Sequence, residues 1–399
     1  MKYITPTVRI LSFVSLFTDM ASEMLYPIMP VYLQTIGFSI LLIGILEGLA
    51  EATAGLSKGY FGKLSDSSGK RVPFIQLGYA FSAVSKPMMA VFVYPLWIFF
   101  ARTIDRFGKG IRTGARDAML SDEATTATKG KIFGFHRSMD TFGAVLGPAF
   151  ALVYLYYYPN QYRTLFLIAF IPGCLAVLLS FLLKDKNKIS HRQKPVKPFS
   201  FFNYWNDAPR NYRKLVIGLL AFTLFNSSDV FLLLKAKESG LSDSYVIGLY
   251  IFYNLVFALA AFPLGILADR IGLKKIFISG ISIFALVYFG MGFTQNLYVL
   301  TALFFLYGIY AAATEGISKA WISNITDRKD TATAIGTYSG FQSIFTMVAS
   351  SLAGLIWYSF GAGATFIMTA VASLLITIYF LWLPKPAGKE VETIDAISP

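Results

Sequence analysis

The stretch at 96–120 is apolar overall, yet it carries Arg102, Asp105, Arg106, Lys109, Arg112 and Arg116. On a helix turning 100° per residue, Asp105, Lys109, Arg112 and Arg116 follow one another at i, i+4, i+7 and i+11 and form a single stripe. Arg102 borders the stripe and Arg106 lies further round. Guanidinium groups present a planar fork of N–H donors that matches a carboxylate or phosphate, so such a stripe is chemistry for an organic anion. Gly110 and Gly114 fall away from it and offer a small-x-x-x-small face to a neighbouring helix.

Carboxylates recur in the other early stretches. Asp19 and Glu23 share an i, i+4, i+7, i+11 face with Tyr26 and Pro30, and Glu47 and Glu51 follow in the next stretch. His136, Arg137 and Asp140 stand in the fifth, where Arg137 and Asp140 are one turn apart. An ionisable group at membrane depth costs about 2.5–3.5 kcal/mol on insertion scales, so these side chains must face protein or water. They form either a buried salt-bridge network or a polar path. The spacing predicts substrate contacts from Arg102, Arg106, Lys109, Arg112, Tyr26, Arg137, Asn226 and Glu315. Protons are expected on Asp19, Glu23 and Asp140, with Glu51 and Asp229 as further candidates, because a nearby Arg106 or Arg137 links substrate binding to protonation. Arg116, Asp117, Asp122 and Glu123 are expected at a mouth of the path, and Lys58 and Lys86 are expected to snorkel to an interface.

Stretches long enough to carry these residues recur along the whole chain. Apolar segments run over 8–33, 40–64, 74–93, 96–120, 132–155 and 164–183, then a polar segment over 184–214. Six more follow at 215–234, 244–267, 276–292, 297–322, 332–357 and 364–383. With 399 residues and ~30–35 residues per membrane pass and loop, about twelve passes fit. Hydrophobic residues make up 55% and charged ones only 14%, against about 25% charged in soluble domains, and the mean hydropathy is +0.58. A polytopic all-α membrane protein is the resulting expectation. The first segment is too long, too charged and too proline-rich for a cleaved secretory signal.

The net charge of +13 collects on one side of the predicted bilayer. Lys184, Lys186, Lys188, Arg192, Lys194, Lys197, Arg210, Arg213 and Lys214 lie in the central segment. Lys70, Arg71, Lys129, Lys131, Lys274, Lys275, Arg328 and Lys329 fall in loops on the same side. The loops near Gly37, Pro95, Asn296 and Gly361 lack Lys and Arg. Both termini and the central segment are therefore expected in the cytoplasm, and nucleic acid is not needed as a partner. The single Cys174 excludes a disulfide framework or cysteine-ligated cluster, and His136 and His191 alone argue against a histidine-built metal site. No cofactor is expected.

The halves repeat. Gly62-Lys-Leu-Ser-Asp66-Ser-Ser-Gly69-Lys70-Arg71 matches Gly265-Ile-Leu-Ala-Asp269-Arg270-Ile-Gly272-Leu-Lys274-Lys275 at an offset of ~203, and Ala118-Met-Leu-Ser121 matches Ala320-Trp-Ile-Ser323 at ~202. At the positions equivalent to Lys109, Arg112, Arg116, Arg137 and Asp140 the second half has Ala311, Thr314, Ser318, Ser339 and Gln342. Its own buried candidates are Asp229, Glu315 and Lys319, with Asn226, Asn254 and Tyr338. Charge is thus concentrated in the first half, and polar and aromatic surface in the second.

The repeated Gly-x-x-x-Asp-x-x-Gly-Lys-Arg pattern resembles the loop signature of the major facilitator superfamily. Ser67 stands where that family often has arginine, whereas Arg270 fills the place in the second copy. Arg106-Phe-Gly-Lys109-Gly110 is similar to the family's Arg-x-x-Gln-Gly, with Lys109 replacing glutamine. Gly134, Gly143, Gly147 and Pro148 resemble a glycine pattern associated with antiporters, although Gly143-x-x-x-Gly147 is also plain close-packing chemistry. The resemblance implies twelve transmembrane helices in two six-helix pseudo-symmetric bundles. The expected units are 1–183, a cytoplasmic linker 184–214, 215–384 and a cytoplasmic tail 385–399. It also implies gating interactions at Asp66, Gly69, Lys70, Arg71, Asp269 and Arg270.

A proton-coupled secondary transporter of a small organic solute is then expected, working by alternating access across a bacterial inner membrane as a monomer. The stripe favours an organic anion: a carboxylate, a phosphate-bearing metabolite or a siderophore. The alternative is a proton-driven exporter of cationic or amphipathic compounds, and the choice turns on whether the arginines are already neutralised. No Walker-type motif supports ATP drive. A non-transporting receptor would call for large soluble loops, which are absent, and no hydrolase signature supports an intramembrane enzyme.

Overall fold

The computed structural model describes residues 4–26, 29, 32–33, 36–37, 40–92, 94–185 and 200–383, and within these not the side chains of 40–52, 95, 200 and 243–244. Pro30, the side chains of Glu47 and Glu51, the linker residues Lys186, Lys188, His191, Arg192, Lys194 and Lys197, and the tail 385–399 lie outside that description.

Among the described residues every regular element is helical, as a bilayer requires of a chain whose backbone groups must be satisfied internally. The first half comprises α1 (Pro6–Glu23), α2 (Ile40–Ser68), α3 (Val72–Val91), α4 (Pro95–Asp122), α5 (Lys129–Tyr157) and α6 (Tyr162–Ser180). A 3-10 turn at Ser200–Asn203 and a one-turn helix at Tyr204–Asp207 lead into the second half. There α7 (Arg210–Phe225) and α8 (Val230–Glu238) form one crossing, followed by α9 (Asp243–Ile271), α10 (Leu273–Phe293) and α11 (Leu297–Ile325). The element α12 (Thr331–Trp382) is two crossings joined at Gly361, whose φ of 83° suits glycine. Among the described residues the crossings number twelve.

Local sequence sets several of these ends. The Thr5 hydroxyl accepts from Val8 N at 3.3 Å, and Asn296 Oδ1 accepts from Tyr298 N at 2.9 Å, each capping a helix start. Pro6 and Pro95 occupy first-turn positions, where a missing N–H costs nothing. Gly272, with φ 106°, separates α9 from α10.

By length and composition, seven helical segments among the described residues could cross a membrane: α5, α6, the α7–α8 pair, α9, α10, α11 and α12. The others include α1, with Arg9, Asp19 and Glu23, and α4, with its charged stripe. Arg9 is exposed near the start of α1, whereas Asp19, Glu23 and the α4 stripe face the interior of the bundle.

Two departures from the expected spans bear on the site. The first span was expected to run unbroken to residue 33, but α1 ends at Glu23 and a turn follows at 24–26, shortly before Pro27, which disfavours helix at the residue ahead of it; helical conformation returns at 29, 32 and 33. The seventh was expected to be continuous, but it unwinds at Asn226-Ser227-Ser228-Asp229. Side chains of this type compete for backbone hydrogen bonds. Here Val230 N donates to Ser228 Oγ at 3.4 Å and Ser228 N to Ser350 Oγ at 3.2 Å.

Helices α1–α6 pack into one bundle and α7–α12 into another, joined along two seams, α2 against α12 and α5 against α9. Glycines bring the seams to backbone contact. A Cβ on Gly62 would stand 2.4 Å from Ala332 O, one on Gly336 2.5 Å from Lys58 O, and one on Gly265 2.3 Å from Gly130 O. The same end of the molecule carries the repeated signature. Asp66 accepts from Thr333 N at 2.6 Å and from its hydroxyl at 2.7 Å, at the start of α12. Asp269 accepts from Gly130 N at 2.7 Å and Lys131 N at 2.8 Å, at the start of α5. Each half therefore uses its signature aspartate to occupy the positive end of a helix in the other half. Arg71 pairs with Asp66 at 2.5 Å and Gly69, with φ 66°, turns the chain beyond α2. Lys70 and Arg270 are exposed.

Candidate functional site

Beyond these interlocks, a cavity of about 500 Å³ lies between the bundles, a size suited to a small organic molecule. From the first bundle it is lined by Asp19, Glu23 and Tyr26 of α1, by Arg106, Lys109, Arg112 and Arg116 of α4, and by Arg137 and Asp140 of α5. From the second come Asn226 and Asp229 at the unwound segment, Tyr250, Tyr253 and Phe257 of α9, Tyr307, Tyr310, Glu315 and Lys319 of α11, and Tyr338 of α12. Gly110 and Gly114 turn the other way: a Cβ on Gly110 would stand 2.3 Å from the Ser57 Cβ, and one on Gly114 2.9 Å from the Gly62 Cα. Those contacts press α4 onto α2 and hold the stripe toward the cavity. Gly143 and Gly147 meet the backbone of α1 in the same way, at Leu16 O and Met20 O, which sets Asp19 and Glu23 beside α5.

The charges divide into two groups. On the cavity side nearest the interlocks they are neutralised. Arg116 Nη2 meets Asp117 Oδ1 at 3.0 Å, and Arg116 Nη1 approaches Asp140 Oδ1 at 4.0 Å. Arg137 Nη1 meets Asp140 Oδ2 at 2.6 Å and pairs across the seam with Glu315. Lys319 Nζ reaches Asp117 Oδ2 at 2.8 Å, also across the seam. Asp117, expected at a mouth, is instead buried between these two cations. His136 is buried beside them, its Nε2 without a hydrogen-bond partner among the described residues.

The second group lacks such partners. The Lys109 side chain lines the cavity and makes no hydrogen bond or ion pair with a described residue. Asp19, within electrostatic range of Lys109, Arg137 and Asp140, likewise makes none. Arg112 donates to Ser82 Oγ at 2.6 Å and stacks on the Tyr79 ring at 4.6 Å, all neutral partners. Glu23 accepts from the Tyr250 hydroxyl at 3.0 Å.

Arg102 does not line this main cavity. It is buried near Asp105, 3.9 Å away, in a smaller adjoining recess with Ser22 and Arg106. Asp105 is held by Lys86 at 2.8 Å. The expected snorkelling of Lys86 is overturned: it is 1% exposed and finds its counter-charge inside the bundle. Lys58 also turns inward, lining the cavity and donating to Ser343 Oγ at 3.3 Å across the seam. The side chain of Glu51 lies outside the described residues.

The sequence reading named Tyr26 and Tyr338 but passed over Tyr250, Tyr253, Tyr307 and Tyr310. Tyr250, Tyr253, Asn254 and Phe257 stand at i, i+3, i+4 and i+7 on α9, and Tyr307, Tyr310 and Thr314 at i, i+3 and i+7 on α11. Polar-tipped aromatics at helical spacing were the available signal. Asn226 Nδ2 donates to the Tyr310 hydroxyl at 2.9 Å, tying the unwound segment to that wall.

Comparison with known proteins agrees with this architecture. A family model described as the Major Facilitator Superfamily matches residues 11–252 and 215–398. An uncharacterised MFS-type transporter of Methanocaldococcus jannaschii is 31% identical over 388 residues, covering 96% of each chain. A multidrug resistance efflux pump homologue of Lactococcus lactis is 23% identical, covering 92% of this chain and 91% of its own. Among solved structures, a human organic anion transporter superposes with a TM-score of 0.78 at 15% identity, covering 94% of this chain and 100% of the other. The fucose:proton symporter of E. coli gives 0.77 at 14%, covering 96% and 100%. At those identities the structural likeness concerns the fold.

Proposed function

Because the chain belongs to the major facilitator superfamily, we propose that it is a proton-coupled secondary transporter of small organic anions, such as a carboxylate, a phosphate-bearing metabolite or a siderophore. The observation that carries this reading is the pair Lys109 and Arg112, which line the cavity one helical turn apart with no carboxylate partner among the described residues. A cation without a counter-charge in a partly desolvated site is costly, and an anionic solute supplies that counter-charge. Asp19 is the favoured proton carrier, since it lines the same cavity without an ion-pair partner, whereas Asp140 is engaged by Arg137 and Arg116.

The units that rock are 1–183 and 215–384, tethered by 184–214. The positive-inside rule supports a cytoplasmic position for the interlocked end; on this reading the closed seams seal the cytoplasmic side, and a bacterial inner membrane is the proposed location. Substrate exchange would open the seams at Asp66 and Asp269 and part the pairs Arg137–Glu315 and Lys319–Asp117.

A proton-driven exporter of cationic compounds is the second reading. It is favoured by Asp19 and Glu23, which also lack a cation partner within ion-pair distance among the described residues, and by relatives named as a multidrug resistance efflux pump homologue and a multidrug resistance protein. A thermal-shift screen of the purified protein separates the two, since a ligand stabilises in proportion to its occupancy. Stabilisation by small organic anions, lost in Lys109→Gln and Arg112→Ala, is expected. Stabilisation by lipophilic cations alone, retained in those variants and lost in Asp19→Asn, would establish the exporter instead.

A further inference from the structure

The anion reading leaves the cavity carboxylate Asp229 unused. Asp229 lies where the seventh crossing unwinds, on the wall supplied by the second bundle. Its Oδ2 accepts from the Tyr253 hydroxyl at 2.5 Å and its Oδ1 from the Tyr307 hydroxyl at 2.6 Å. No lysine or arginine among the described residues pairs with it. Two hydroxyl donors orient the carboxylate but leave its charge uncompensated. Each tyrosine that spends its hydrogen on Asp229 also keeps oxygen lone pairs that can accept from a donor in the cavity. The neighbouring rings are close: Tyr250 stands 5.4 Å from Tyr253, and Tyr310 5.2 Å from Tyr307, centroid to centroid. Negative charge, hydroxyl acceptors and aromatic surface together are what binds an organic ammonium, and they would repel an acid group.

We propose that the cavity takes a dipolar solute, its acid group held at Lys109 and Arg112 of the first bundle and its ammonium at Asp229, Tyr253 and Tyr307 of the second. The inference rests on the anion reading above and narrows it to amino acids, amino phosphates and similar zwitterions. It also gives the asymmetry of the two walls a purpose: a solute carrying both charges bridges the bundles, whereas a simple anion or amine satisfies one wall only.

The test uses the purified full chain and a ladder of ω-amino acids from β-alanine to 6-aminohexanoate. Each is compared with the carboxylate lacking the amine and the amine lacking the carboxylate, by thermal shift and by equilibrium binding. At least one dipolar member is expected to bind ten-fold or more tightly than either of its matched partners. Asp229→Asn and the milder Tyr307→Phe should erase that advantage without weakening the plain carboxylate. Carboxylates that bind as tightly as their amino counterparts, or an advantage that survives in both variants, would overturn the ammonium site and leave the anion reading standing. Binding of the amines alone, or of no member of the ladder, would overturn both.

Discussion

Asp105 and Lys109 stand one turn apart on α4, yet their surroundings are opposite. Asp105 is sealed against Lys86 with Arg102 alongside, and removing one partner of such a pair strands the other. Asp105→Leu is therefore expected to destabilise the protein by about 3–5 kcal/mol, and adding Lys86→Met should recover most of that loss. Thermal unfolding in detergent measures both. Lys109 has no such structural partner among the described residues. Lys109→Gln should leave the unfolding midpoint of the empty protein near that of the parent and weaken anion binding about ten-fold, equivalent to about 1.4 kcal/mol. A large loss of stability in Lys109→Gln would mean that it, too, is a structural charge.

At the scale of elements, the α2–α12 seam depends on residues with no side chain. A Cβ on Gly62 would lie 2.4 Å from a backbone oxygen of α12, which cannot rotate away. Gly62→Ala is expected to cost about 1–3 kcal/mol through overpacking. Gly248→Ala on α9, where nothing lies within 4 Å, should be neutral or slightly stabilising because alanine favours helix. The linker reinforces the same seam. Phe201 is 1% exposed, its ring would be 2.3 Å from a Cβ on Gly59, and its carbonyl accepts from the Thr337 hydroxyl at 3.3 Å. The chain between the bundles thus places a ring at the junction of α2 and α12.

For the whole molecule, two questions meet at the cross-seam ion pairs: what seals the interlocked end, and what must yield when it opens. Substituting Glu315→Gln together with Lys319→Gln leaves Arg137 with Asp140 and Asp117 with Arg116, so no first-bundle charge is stranded. The double variant is expected to raise access to the cavity from the interlocked end. Cys174 is the single cysteine, so a Cys174→Ser background with Ser339→Cys places one thiol on the cavity wall. Labelling of that thiol by a membrane-impermeant maleimide, added from the interlocked side, should increase several-fold. Unchanged labelling would assign the seal to the glycine seams and to the aspartate interlocks instead.

The sequence by itself determined the class of the molecule. Twelve apolar stretches, the offset between Asp66 and Asp269, and the basic loops are local or periodic features, and periodicity survives without coordinates. It also placed Lys109, Arg112 and Arg116 on one face, because helical geometry converts spacing into direction. Tertiary structure alone decided which charges are already matched. Lys86 and Asp105 are 19 positions apart in the chain, Asp117 and Lys319 belong to different bundles, and the tyrosines around Asp229 come from two helices. Whether a charge is a strut or a binding group depends on what stands within a few ångströms of it, and that distance is set by the packing of the whole bundle rather than by any segment of it.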